Sequence, residues 1–178
     1  MKSEILKYDS SFDESVFLTR IDHIYIMVLS AIMANDMSSV SHYLNEDILS
    51  KFENLVNEYK KQGKKRLFDE MNIKESYIKN VDIDDNKVNI TCDIVTRYMD
   101  YFVDENGKYL SGINNKRIEL THRVVFSKLL NAEKLKSARR CPNCGNTINI
   151  NESGVCPYCN SVFNMEKYDY IVTKMELI

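Results

Sequence analysis

Four cysteines near the C-terminal end constrain this chain more than any other feature. They read Cys141-Pro-Asn-Cys144-Gly and Cys156-Pro-Tyr-Cys159-Asn, two C-x2-C pairs separated by a short polar loop. Each pair can fold as a tight knuckle that aims two thiolates at one point, and the loop brings the knuckles together. That is the donor set a tetrahedral zinc takes from a polypeptide. Pro142 and Pro157 pre-set the turns, and Gly145 can supply a positive φ that lets backbone N–H groups face the sulfurs. We therefore expect one structural Zn²⁺ on Cys141, Cys144, Cys156 and Cys159. Four thiolates leave no coordination position for water, so such a centre holds a fold together and does not catalyse. Iron could occupy the same sulfurs. Disulfides would suit an oxidising compartment, but residues 1–10 are polar and unlike a signal peptide. A redox C-x-x-C normally stands alone at a helix start in a βαβ unit, not doubled across a loop.

The 178 residues suit one ordinary domain with a small appendage. A hydrophobic content of 44% can fill a core, while five glycines and two prolines leave little for linkers. The formal charge of −2, made more negative by a four-thiolate zinc centre, is no nucleic-acid footprint. The loop between Cys144 and Cys156 also holds no Lys, Arg or aromatic residue to grip phosphates or stack on bases. A nucleic-acid partner is not expected. The most apolar stretch, 25–34, is too short to span a bilayer. The expected location is cytoplasmic, with contact at a membrane surface left open.

Helical periodicity comes first along the chain. Ser11 and Glu14 match a capping box, and Phe17, Ile21, Ile24, Val28 and Ile32 follow at helical spacing until Asn35 and Asp36. A shorter helix carries Val40, Tyr43 and Leu44. A third begins near Glu46 with Ile48, Phe52, Leu55 and Tyr59 on one face, and Gly63 stops it. Beyond Gly63 the period changes to two. Val81 and Ile83 precede a turn at 84–87, and Val88, Ile90, Cys92 and Ile94 then alternate with polar residues. Cys92 reads as a buried thiol. The pattern runs through Tyr101 and Val103 to a hairpin at Asn106-Gly107. Ile118, Leu120, His122, Val124 and Phe126 form another alternating strand, and the tail alternates through Ile171, Thr173, Met175 and Leu177. Helices first and long strands later predict an α+β packing, with helices on one face of a curved antiparallel sheet. The cysteine module interrupts that sheet before its last strand.

This order resembles a Tim44-like domain, and in particular the bacterial branch that carries a zinc ribbon before its last strand. The matching residues are the first helix over 17–34, Asn35-Asp36, Val40 to Leu44, the strand over 88–103, the turn at Gly107 and the four cysteines. The resemblance implies the NTF2-like cone, a strongly bent sheet wrapped on helices with a pocket at its open end. On this basis residues 1–137 form the Tim44-like domain, 138–164 the zinc ribbon and 165–178 the strand returning to the main sheet. The resemblance also implies a binding role near membranes, since the mitochondrial relative is a peripheral scaffold in protein import that contacts anionic lipid and partner proteins.

The expected function is a non-catalytic binding or scaffold module whose partner is another protein, with peripheral contact to an anionic membrane as a further expectation. Lys60, Lys61, Lys64, Lys65 and Arg66 are five basic residues within seven and could meet anionic headgroups. The plainer reading is that they complement a helix C-terminus and keep the surface soluble. Arg139 and Arg140 more simply balance the charge of a thiolate centre. The alternative is a pocket enzyme or small-molecule binder, with Tyr25, Tyr43, Tyr98 and His122 lining the interior. That chemistry needs a carboxylate base facing a hydrogen-bond donor in an apolar cone. Asp93 points away from Ile90 and Ile94, and a buried His–Tyr pair is more often a satisfied core pair.

Overall fold

The computed structural model describes residues 2–10, 12–84, 86–130, 139–140, 144, 146–148, 156–160 and 169–178. Within them, helices α1 (Lys2–Tyr8), α2 (Glu14–Met33) and α3 (Glu46–Lys61), with a 3₁₀ turn at Ser38–Tyr43, precede the long strands β1 (Lys64–Ile83), β2 (Lys87–Asp104) and β3 (Tyr109–Leu129). The short strands β4 (Arg139–Arg140) and β5 (Thr147–Ile148) pair with each other, and β6 (Ile171–Leu177) closes the chain. The main sheet has the order β1-β2-β3-β6, antiparallel throughout. The fold is α+β, with the N-terminal helices packed on a four-stranded antiparallel sheet. The cysteines precede the last strand. The expected boundaries at 137/138 and 164/165 fall outside the described residues.

Helix α2 is the core of the helical layer. Phe17, Ile21, Ile24, Tyr25, Val28, Leu29, Ala31 and Ile32 are buried on it. By length and composition it could cross a bilayer, but this burial shows the helix serving as a core element. Its start differs from the capping-box expectation. Asp13, in extended backbone, accepts from the Val16 N–H at 2.9 Å and takes the cap role expected of Ser11. Asn35 leaves the helix at φ +54, a conformation Asn tolerates better than most residues. Asn45 caps α3 through Ile48 N–H at 3.0 Å, and Gly63 at φ +61 turns the chain into β1.

The strands read less simply than strict alternation. Val88, Ile90, Cys92 and Ile94 are buried as expected, but so are Val95, Thr96 and Tyr98. In β1 the register shifts at three places, and Glu70 sits at φ +52 within one of them. Such bulges bend a strand and raise its twist. The tail strand also departs from simple parity. A register shift between Val125 and Phe126 pairs Phe126 with Val172 and Val125 with Lys174. Val172 and Met175 therefore face the core, whereas Leu177 is exposed. Phe17 ties the layers, with ring centroids 5.4 Å from Phe12, 5.0 Å from Tyr170 and 6.0 Å from Phe126.

Candidate functional site

The cysteines come together from two segments. Cys144 follows β4, in the loop that leads to β5, and the Arg139↔Ile148 and Arg140↔Thr147 pairs bracket that first knuckle. Cys156 is fully buried, Cys159 partly so and Cys144 exposed. Their three sulfurs lie within 4.8 Å of one another, and Cys144 Sγ stands 3.7 Å from Cys156 Sγ. A disulfide would need about 2.05 Å. Thiolates at about 2.3 Å from a central zinc in tetrahedral geometry would lie about 3.8 Å apart. The Cys144–Cys156 spacing thus fits a shared metal ion. Asn160 N–H donates to Cys156 O at 2.9 Å, with Asn160 at φ +56. Asn160 occupies in the second knuckle the place that Gly145 holds in the first, and it adopts the left-handed backbone expected there of the glycine. Sequence reasoning had not assigned it that part. Cys141 and Gly145 lie outside the described residues.

Of the four residues expected in a pocket, the structure brings together Tyr25, Tyr98 and His122. Tyr25 on α2 reaches His122 Nδ1 on β3 at 2.9 Å and Thr96 Oγ1 on β2 at 3.4 Å. Thr96 donates in turn to Leu120 O at 3.2 Å. Burial, reinforced by the nearby Arg66 guanidinium, pushes His122 down to about 4. Burial raises the Tyr25 and Tyr98 phenols. A neutral imidazole and a neutral phenol thus share a hydrogen bond, which gives both groups a partner inside the core. Two of the carboxylates on β2 are matched by arginines. Arg66 holds Asp100 through both carboxylate oxygens, at 2.8 and 2.6 Å. Asp93 is held by Arg123 in the same bidentate way, at 2.7 and 2.8 Å, which lowers the Asp93 carboxyl. Cys92 is buried, and its thiol is pushed up to about 12 by that burial.

Tyr43 lies elsewhere. It lines a groove of about 690 Å³ along α2, with Val16, Thr19, Arg20, His23, Ile24 and Met27. Tyr25, Tyr98 and His122 take no part in it. The basic run also divides. Lys60, Lys61 and Lys65 are exposed, and Lys64 stacks over Phe102 with its Nζ 4.6 Å from the ring centroid. Arg66 turns inward to Asp100 and lies over the Phe68 ring, so it does not belong to the exposed set. The pairing of Arg66 with Asp100 was not visible in the sequence, because only the β1–β2 register brings positions so far apart together.

Against known proteins, the family model described as Tim44-like domain matches residues 2–136, most of the chain. The chain belongs to the Tim44-like domain family. The matched span contains the helices and the three long strands, and it stops short of Cys141. A search of curated proteins finds no match.

Proposed function

We propose that this chain is a non-catalytic binding module of the Tim44-like type, stapled by one zinc ion and working at a protein complex or an anionic membrane surface. The single observation that carries the zinc is the 3.7 Å spacing of Cys144 and Cys156, beside Cys159. Cys141 would complete the set, as in the bacterial branch with a zinc ribbon. When bound, zinc supplies a structural cross-link whose binding energy becomes folding energy. The chain's own residues do the rest: the β4–β5 ladder frames the first knuckle, and the left-handed Asn160 closes the second.

Support for the non-catalytic reading comes from the interior. A general base works best with a pKa near the operating pH. His122, at about 4 and bonded to a neutral Tyr25, is instead a core partner. Asp100, which acts electrostatically on His122, and Asp93 are each committed to an arginine.

Surface contact falls to Lys60, Lys61, Lys64 and Lys65. Basic side chains near an anionic bilayer contribute about 1 kcal/mol each. Liposome co-sedimentation should rise with anionic lipid and fall with salt, because the Debye length shrinks from about 10 Å at 0.1 M to about 3 Å at 1 M. Changing the four lysines to Gln should abolish sedimentation with little change in melting temperature. Wild-type protein that ignores vesicles of every composition would refute the membrane contact and leave a protein partner as the binding target.

A further inference from the structure

The turn from α3 into β1 borders an open cleft of about 230 Å³, lined by Asn35, Lys60, Gly63, Lys64, Lys65 and Glu105 beside Ala34. None of the three lysines makes an ion pair among the described residues. Gln62 N–H bonds Glu58 O and Gly63 N–H bonds Lys60 O, so backbone donors already serve two of the last four carbonyls of α3. Lys64 is held in place by the Tyr59 and Phe102 rings. The cleft therefore offers three cations against one carboxylate, with Asp36 near enough to Lys60 to interact electrostatically.

A second observation concerns Glu105, an exposed carboxylate that lines the same cleft beside the cluster of cations. A bare anion would satisfy the lysines and leave this acceptor without a donor.

We propose that this cleft binds a phosphorylated polyol, with the phosphate on Lys60, Lys64 and Lys65 and a neighbouring hydroxyl donating to Glu105. The cleft, about 230 Å³ and open to solvent, has room for a small phosphorylated polyol. The same chemistry is offered by a soluble glycerol phosphate and by the headgroup of phosphatidylglycerol. The inference deepens the surface reading above, since it assigns that surface a particular ligand chemistry.

The test uses the full-length chain and backbone amide NMR. Titration with sn-glycerol 3-phosphate should shift the amides of Asn35, Gly63, Lys64 and Lys65 saturably, and more tightly than inorganic phosphate does. Lys60→Gln/Lys65→Gln, at exposed positions, should weaken binding about tenfold, as loss of charge-assisted contacts worth about 1.4 kcal/mol would. Glu105→Ala, at an exposed position, should remove the preference over inorganic phosphate. In parallel, vesicles of phosphatidylglycerol and phosphatidylserine at equal charge are compared. Preference for phosphatidylglycerol identifies a lipid headgroup, and saturation by the free phosphate without that preference identifies a soluble ligand. Equal sedimentation with both vesicles and no saturable shift would overturn the cleft while leaving the general surface contact standing. The cleft is equally overturned if both variants bind as wild type does.

Discussion

Replacing His122 by Asn should flatten the acid side of the stability curve. Folding holds the imidazole at about 4 against an ordinary value of 6.5. Because the folded state disfavours the proton, His122 contributes fully above pH 6.5, and its contribution declines as pH falls toward 4. A displacement of about 2.5 units at about 1.36 kcal/mol per unit amounts to about 3 kcal/mol across the whole window. Between pH 7.5 and 5 the share lost is about 2 kcal/mol. Asn places an acceptor near the position of Nδ1, so the Tyr25 hydroxyl keeps a partner while the titration disappears. Urea unfolding of both proteins at half-unit pH steps isolates the term, since carboxylates and cysteines titrate alike in each. Wild type should lose about 2 kcal/mol more than His122→Asn over that range. Parallel curves would refute the buried, neutral imidazole, and a wild-type midpoint near 7 would restore His122 as a candidate general base.

Two further substitutions probe the sheet and the cysteine module. Gly112 sits at φ +105, and an added Cβ would lie 2.5 Å from Asp100 O and 2.6 Å from Tyr101 Cα. Gly112→Ala should therefore destabilise by about 2–4 kcal/mol, measured by thermal melting, whereas a change within about 0.5 kcal/mol would contradict the close β2–β3 approach. Cys144→Ser should lower metal affinity and loosen the module around Cys156, while far-UV circular dichroism of the helix–sheet core stays near wild type, because that core buries its own apolar faces. Global unfolding of Cys144→Ser would show that the two parts are not independent.

Legibility in the sequence followed the strength of the periodicity. Helix α3 and its Gly63 stop, and the strand with His122 and Phe126, were readable because each shows its period over several turns or pleats. Strand β1 was legible only at Val81 and Ile83. It is an edge strand rich in charge, and its bulges shift the side-chain parity before a period can build up. The same cause hid the switch at Thr173, where one extra residue carries Val172 to the core face. At the helix start, Asp13 and Ser11 were both competent caps, and only the observed Asp13–Val16 bond separates them. The His122–Tyr25 contact was foreshadowed by parity on β3, but Tyr43 shares the helical layer without sharing the interior. Arg66 looked like one more surface cation until the β1–β2 register set it beside Asp100.

Metal stoichiometry tests the central claim most directly. Protein purified reduced, without chelator or affinity metal, should contain about one zinc per chain by elemental analysis, and native mass spectrometry should show the ion lost on thiol modification. The mutual approach of Cys144, Cys156 and Cys159 predicts that result. A chain free of metal under those conditions, with its thiols reduced and fully reactive, would contradict it.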